Sequence, residues 1–245
     1  MAIPAHASRC DNPLLGPQIV PQDREASVAS RPSLLPDNRP RWPAVVMTIT
    51  GVLSLLAGAL VVIGWHTGSI VWPRALLFQS VPVRYNAGLC FVFGGISLIL
   101  LTRGRMGWAR AMGGGMAALG LLTFCEYLFN ISLGIDSLFF DTARVASTIP
   151  PRMAPNTALC FTLLGGALLL TGKSTGALRN SLQAITAALV AALGLVGFIG
   201  YLAHIPTAYG WGRFTPMAAP TAAMMVALGL GTIALAWRRY TADSA

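Results

Sequence analysis

The sequence predicts an all-α polytopic membrane protein with six transmembrane helices, arranged as three tandem two-helix repeats. Three observations lead to this prediction. Hydrophobic residues make up 55% of the 245 residues, charged residues make up 10%, and the mean hydropathy is +0.65, which is too apolar for a soluble domain of this length. Six apolar runs each have the length of roughly 17–25 residues that crosses a bilayer as a helix. A motif with the pattern Asn-Xaa-Xaa-Leu-Cys-Phe opens both the second and the fourth run.

The six predicted spans alternate with polar connections along the chain. They are residues 44–65, 85–102, 109–131, 154–171, 182–203 and 216–237. The predicted membrane domain therefore comprises residues 42–238. Residues 1–41 are rich in proline and lack the apolar core of a signal peptide, so we expect a disordered cytoplasmic tail. Residues 239–245 are expected to form a second, short cytoplasmic tail.

The predicted repeat unit is a pair of apolar runs. The motif that begins at Asn86 returns at Asn156 and, more faintly, at Pro220, and a glycine follows nine residues after each of these positions. Residues 117–128 also match residues 191–202. Because each unit crosses the bilayer twice, successive units keep the same orientation. We therefore expect the three pairs to superpose around an approximate three-fold axis normal to the membrane.

The net charge of +9 is distributed in a way that indicates topology and not nucleic-acid binding. Both tails and the even-numbered connections hold twelve of the 17 lysines and arginines. The remaining cations are Arg74, Arg84, Arg144, Arg152 and Arg213. The positive-inside rule then predicts that both termini lie in the cytoplasm, and the basic residues give some attraction to anionic lipid.

Glu126 is the only acidic residue inside a predicted span. Helical spacing places it on one face with Thr123 and Asn130. An ionisable group inside a membrane marks a candidate functional site, for ligand binding or for coupling. The alternative is that Glu126 anchors a loop through hydrogen bonds, and its position near the outer end of the span favours this alternative.

The predicted starts of the second, fourth and sixth helices all face outwards. Asn86 and Asn156 are suited to cap two of these starts, and Arg84, Arg152 and Arg213 lie beside all three. Positive helix ends together with arginines could hold an anionic headgroup or ligand. The simpler interpretation, which we favour, is that these arginines extend to the phosphates of the outer leaflet.

Aromatic residues and histidines mark the outer ends of the odd-numbered spans. Trp65, Tyr127 and Tyr201 occupy matched positions, where an aromatic belt is expected. His66 and His204 lie close by and are weak candidates for haem or metal ligands. Because interfacial histidines are more often amphipathic anchors, we expect neither a haem nor another cofactor.

Three segments resemble a known family. Residues 126–140, 151–161 and 215–222 are similar to the multi-helix N-terminal membrane region of bacterial sensor histidine kinases and diguanylate cyclases that carry PAS or GAF modules. The resemblance covers about residues 44–238. It implies an input region that senses the envelope or the bilayer and passes a helix movement to a cytoplasmic output.

Functional expectations follow from this resemblance and from the motifs. The chain contains no phosphate-binding loop, no Ser-His-Asp constellation and no kinase or cyclase motif, so we expect no enzymatic activity. A sensory or regulatory module that acts through another membrane protein or a signalling protein is the leading hypothesis. An accessory subunit of a respiratory or photosynthetic complex is the alternative, and a small transporter is the third.

Overall fold

The computed structural model describes residues 40–67, 83–135, 152–172 and 176–243, and within these ranges it contains seven helices and no strand. The helices are α1 (Trp42–Thr67), α2 (Tyr85–Thr102), α3 (Met106–Leu128), α4 (Pro155–Leu169), α5 (Ala177–Leu202), α6 (Pro206–Tyr209) and α7 (Ala219–Asp243). Five of these helices, all except α4 and α6, are long and apolar enough to cross a membrane. Within the described residues, the prediction of an all-α fold with apolar helices of membrane-spanning length is therefore confirmed.

Several predicted boundaries differ from the observed ones. The helices α1, α3 and α5 begin at Trp42, Met106 and Ala177, before the predicted residues 44, 109 and 182. The helix α7 continues to Asp243, so most of the predicted tail 239–245 is helical. Arg239 is buried within this extension and donates a hydrogen bond of 2.8 Å to the Gly172 carbonyl. Residues 1–39 of the other predicted tail lie outside the described residues.

The most extensive helix contacts join α1 to α2, α3 to α4, and α5 to α7. These three combinations are the helix pairs of the bundle. Small residues bring the paired backbones together at two levels. At the first level, a Cβ atom added to Gly95, Gly165 or Gly229 would lie 2.5, 2.6 or 2.9 Å from the carbonyl oxygen of Gly51, Gly113 or Ala187, respectively. At the second level, a Cβ atom on Gly58, Gly120 or Gly194 would lie 2.5, 2.8 or 2.7 Å from the carbonyl oxygen of Gly88, Ala158 or Ala222. The order of these contacts shows that the two helices of each pair are antiparallel.

The helices form an inner and an outer set. In the apolar segments of α2 and α7, 61% of the residues are buried inside the bundle, whereas in those of α1, α3 and α5 only 28% are buried. The helices α2, α4 and α7 contact one another, and Phe91 packs edge-on against Phe161 with ring centroids 5.0 Å apart. The helices α1, α3 and α5 carry large exposed hydrophobic side chains, such as Leu60 and Leu189. Such apolar outer faces are suited to contact with lipid.

Contacts also connect neighbouring helix pairs. The helix α2 packs against α3, α4 packs against α5, and α7 packs against α1. Near the start of α5, the Gln183 amide donates to the Ala167 carbonyl at 2.9 Å and to the Thr171 hydroxyl at 3.0 Å. The contact between α7 and α1 joins the third helix pair to the first.

We call the end of the bundle that contains Trp65 the outer end, following the sequence prediction, and the opposite end the inner end. At the outer end, α1, α3 and α5 each finish with an aromatic side chain that bonds to the chain before the partner helix. Trp65 Nε1 donates to the Val83 carbonyl at 2.9 Å, Tyr127 Oη donates to the Met153 carbonyl at 2.8 Å, and Tyr201 Oη donates to the Met217 carbonyl at 2.6 Å. These rings therefore fasten helices together at the level where the sequence predicts an aromatic belt.

Candidate functional site

A recess opens at the outer end where α2, α4 and α7 begin. Its empty volume is ≈ 230 Å³, part of which is continuous with solvent. Arg84, Ala154 and Ala218 precede the three helices and line this recess. Arg84 is only 5% exposed, so its guanidinium is held within the protein and not at a lipid surface. The recess therefore contains a buried cation beside two small residues.

Polar groups line the recess one turn further in. Thr157 of α4 and Thr221 of α7 lie on its wall, with Ala87 of α2 beside them. Both threonines are buried, with 2% and 3% of their surface exposed. The first-turn N–H groups of three helices point towards this end, which gives it a positive potential in addition to the Arg84 charge. No carboxylate is among the described residues that line the recess. The described lining is therefore basic and polar.

The predicted caps Asn86 and Asn156 are wrong, because both residues lie inside the first turn. Arg84 and Ala154 occupy the N-cap positions of α2 and α4, and neither makes a side-chain capping bond. Pro155 takes the first position of α4, where the missing N–H needs no partner. Asn156 instead donates to the Tyr209 carbonyl at 3.2 Å, which connects α4 to the short helix α6.

Glu126 belongs to a second polar cluster at the outer end. Its carboxylate is fully buried, lies 3.1 Å from Nε of Arg152, and accepts a 2.7 Å hydrogen bond from the Leu133 N–H. Arg152 also donates to the Ile131 carbonyl at 3.1 Å, and its guanidinium lies 5.2 Å from the centre of the Tyr127 ring. The cluster ties the chain after α3 to the start of α4. This geometry favours the loop-anchor interpretation of Glu126.

The predicted polar face of Thr123, Glu126 and Asn130 is present only in part. Thr123 is fully buried on the same side of α3 as Glu126. Asn130 is exposed and lies beyond the helix end with φ of 51°, so its predicted place on this face is wrong. The helix α3 ends in a left-handed cap, in which the Ile131 N–H bonds back to the Glu126 carbonyl at 3.2 Å.

The remaining candidates lie apart from both clusters. Arg213 is exposed in the segment between α6 and α7. His66 is exposed, and its Nε2 lies 3.3 Å from the Tyr85 hydroxyl. His204 is exposed in the left-handed cap of α5, with φ of 56°. Within the described ranges, no group of three His, Cys, Asp or Glu residues could hold a metal ion.

The three arginines that the sequence places together therefore have three different environments. Arg84 lines the recess, Arg152 pairs with Glu126, and Arg213 is exposed. Thr157 and Thr221 were not predicted from the sequence. A signal was available, because each directly follows a position of the repeated motif, Asn156 or Pro220. Two further predicted outer cations, Arg74 and Arg144, are outside the part of the chain that the structure describes.

Comparisons of this chain with protein-family models, with curated proteins and with solved structures gave no match.

Proposed function

We propose that this chain is a sensory or regulatory input module of a bacterial inner membrane, which binds a ligand at its outer end and acts through a partner protein. The observation that carries the proposal is Arg84, a buried cation in a recess where three helices begin. Burying a cation in a membrane domain is costly, and ionisable groups in such domains most often mark functional sites. The resemblance to the membrane regions of sensor kinases and cyclases points in the same direction.

The proposal includes six membrane crossings, with α4 as the sixth. With 15 residues, α4 spans about 22 Å, which is less than a hydrocarbon core of about 30 Å. Two features support a crossing despite this length. The helix runs antiparallel to α3 from the Gly120 level to the Gly113 level, and ten of its residues are buried among other helices. A helix that is covered by protein can be short, because non-helical backbone at its ends does not contact lipid.

The proposal also includes three tandem repeats. The close contacts in each pair involve small residues seven positions apart, at 88 and 95 in α2, at 158 and 165 in α4, and at 222 and 229 in α7. Contacts between neighbouring pairs follow the same order around the bundle. Both the recurring register and the recurring order support three units around an approximate three-fold axis.

Six crossings place both termini on one side of the membrane, which we propose is the cytoplasm. The inner end carries Arg41, Arg103, Arg105 and Arg238, in agreement with the positive-inside rule. Reporter fusions test this topology. Fusions at Gly176 and after Ala245 should both report the cytoplasm, and a periplasmic signal from either would contradict six crossings.

The helix α7 offers a direct connection between the recess and the inner end. Thr221 near its start lines the recess, and Arg239 near its end bonds to the Gly172 carbonyl. Because a continuous helix moves nearly as a rigid body, a change of occupancy in the recess can shift the inner end of α7. A partner that contacts this inner end would register the shift.

Affinity capture after gentle detergent extraction, followed by mass spectrometry, tests the function. We expect a histidine kinase, a diguanylate cyclase or another signalling protein to co-purify. Phosphorylation or cyclic dinucleotide output from that partner should change in Arg84→Gln and stay the same in the matched control Arg213→Gln. Recovery of a respiratory or photosynthetic complex in equal amounts, with no change in signalling output, would instead support the accessory-subunit hypothesis.

A further inference from the structure

We propose that the surface where α1 meets α7 at the inner end is a binding site for one anionic phospholipid. We call this surface, formed by residues 41–49 and 230–238, the inner seam. The headgroup phosphate contacts Arg41 and Arg238, and the acyl chains lie along the two helices. The site is separate from the outer recess and goes beyond the proposed function, because it requires a bilayer around the apolar helices and no signalling partner.

Two contacts fix the levels of α1 and α7 against each other. A Cβ atom added to Gly231 would collide with the Thr50 hydroxyl, so the two backbones approach closely there. Nearer the inner end, the Trp42 and Trp237 rings lie with their centroids 6.1 Å apart. The order of these contacts shows that α1 and α7 are antiparallel, and the tryptophans lie about 9–12 Å beyond the Thr50 level at 1.5 Å per residue. The inner seam therefore has a pair of indole rings at its inner edge.

An apolar strip lies between the tryptophan pair and the middle of the bundle. Val45 and Ile49 follow Trp42 by three and seven residues, which places them on the same side of α1. Leu230 precedes Trp237 by seven residues and shares its side of α7 in the same way. All five side chains are about half exposed. Exposed aliphatic groups that lead away from indole rings match the acyl chains and the interface of a lipid leaflet.

Charge identifies the headgroup. Arg41 directly precedes Trp42, Arg238 directly follows Trp237, and both arginines are exposed. Two cations thus lie at the polar end of the apolar strip, where the phosphate of a lipid with its chains on the strip would lie. Guanidinium groups donate paired hydrogen bonds to phosphate oxygens. A zwitterionic headgroup brings its own cation to this place, so an anionic headgroup is favoured.

The internal repeat does not require either tryptophan. The contact residues Gly51, Gly113 and Ala187 define equivalent positions in α1, α3 and α5, and the residues nine positions before them are Trp42, Gly104 and Leu178. Likewise, the residues eight positions after Gly95, Gly165 and Gly229 are Arg103, Lys173 and Trp237. Helix packing that recurs in three pairs therefore does not explain the tryptophan pair. A ligand held at this one seam does explain it.

Native mass spectrometry of the purified full-length chain in detergent tests the proposal. The protein is titrated with dioleoyl-phosphatidylglycerol or with dioleoyl-phosphatidylcholine, and the fraction that carries one lipid is measured. Phosphatidylglycerol should bind saturably with an apparent Kd about tenfold lower than that of phosphatidylcholine, because arginines at a lipid surface favour anionic headgroups. Equal Kd values for the two lipids would overturn the proposal. Displacement of the lipid by an equal concentration of inorganic phosphate, or by dimerisation of the chain, would also overturn it.

Charge variants locate the lipid at the inner seam. The double variant Arg41→Gln with Arg238→Gln should raise the Kd for phosphatidylglycerol about tenfold and leave the Kd for phosphatidylcholine unchanged. The matched control is Arg103→Gln with Arg105→Gln, which removes the same charge from exposed positions between α2 and α3. This control should bind both lipids as the wild type does. Equal weakening by the two double variants would mean that overall charge attracts the lipid, and would overturn the proposal.

Tryptophan variants test the apolar part of the site. Trp237→Leu keeps an apolar side chain but removes the indole ring, and should weaken the binding of both lipids by a few-fold. Trp108→Leu, at an exposed tryptophan near the start of α3, is the control and should leave binding unchanged. Equal effects of the two substitutions would exclude the tryptophan pair from the site and overturn the proposal.

Discussion

The middle of the bundle and its outer end differ in how alike the three helix pairs are. In the middle, each pair brings its backbones together through small residues at the same two levels, as Gly51 with Gly95 and Gly113 with Gly165 illustrate. These contacts depend on shape alone, since the residues have no polar side chain. Any departure from the pattern would separate two helices.

At the outer end, the three pairs share one feature and differ in the rest. Each has an aromatic donor that bonds to the chain before the partner helix. The first pair then adds Arg84 in the recess, and the second adds the Glu126–Arg152 ion pair. The third adds α6, where the Tyr209 ring stacks on Tyr201 with centroids 3.9 Å apart.

This comparison separates the residues that pack from the residues that are candidates for function. Where three pairs make the same contact, packing explains the residue type. Where only one pair carries a charged group, packing does not require it. Glu126 and Arg84 both meet this second condition. Glu126 pairs with Arg152 of the same helix pair, and Arg84 lines the outer recess. Three tests can break or sharpen the distinction.

The largest effect is expected in the middle of the bundle, at two adjacent glycines of α4. A Cβ atom on Gly165 would meet the backbone of α3 at Gly113 and Ala117, whereas one on Gly166 has nothing within 4 Å. Backbone cannot move aside cheaply, so Gly165→Ala should lower the stability by about 2–3 kcal/mol. Gly166→Ala should be neutral or stabilise by less than about 1 kcal/mol.

Thermal unfolding of the two glycine variants in the same detergent measures this difference. Gly166→Ala controls for the addition of one methyl group to the helix. Equal melting temperatures for the two variants would mean that the close approach of α3 and α4 is not a packing constraint.

An intermediate effect is expected at Glu126. Glu126→Leu leaves the Arg152 charge and the Leu133 N–H without their carboxylate, and should cost about 2–3 kcal/mol, below the range for fully buried pairs because Arg152 is 20% exposed. Glu126→Gln keeps an oxygen for the Leu133 N–H and should cost about half as much. Unfolding midpoints measure both changes, with Arg213→Gln as the control. A Glu126→Leu variant as stable as the wild type would refute the anchor.

The partner's output provides a second measurement on Glu126. A loop anchor predicts that Glu126→Gln, at matched amounts of folded protein, gives the same output as the wild type. An altered output from well-folded Glu126→Gln would make Glu126 a candidate functional residue, as Arg84 is.

The smallest effect, a stabilising one, is expected at the two left-handed caps. Asn130 and His204 have φ of 51° and 56°, a conformation that glycine adopts without strain. His204→Gly should therefore stabilise by about 1 kcal/mol, and Asn130→Gly by less, since asparagine tolerates this conformation better. Alanine at the same positions serves as the control and should not stabilise. If glycine lowers the melting temperature at either position, the side chain has a role outside the cap.

Part of this architecture was predictable from the sequence, because it depends on local properties. Apolar runs of membrane length identified the helices, since the backbone in lipid must bond internally. Glycines lie at a fixed distance from the repeated motif, and the structure places them at one contact level of α2, α4 and α7, since close approach requires small residues wherever it occurs. The left-handed cap after α3 was not predicted, because Asn130 continues the helical pattern and only the backbone angle shows that the helix has ended.

The candidate site depended on the tertiary structure. In the sequence, Arg84, Arg152 and Arg213 have the same residue type and similar positions before a helix. Their environments differ because they depend on other parts of the chain: Arg152 pairs with Glu126 of α3, Arg84 lines a recess together with residues that precede α4 and α7, and Arg213 is exposed. The sequence by itself determined which segments are helical and where small residues allow contact, since these properties depend on neighbours within one segment. Only the tertiary structure decided which arginine is buried, because burial and pairing depend on groups that are distant in the chain.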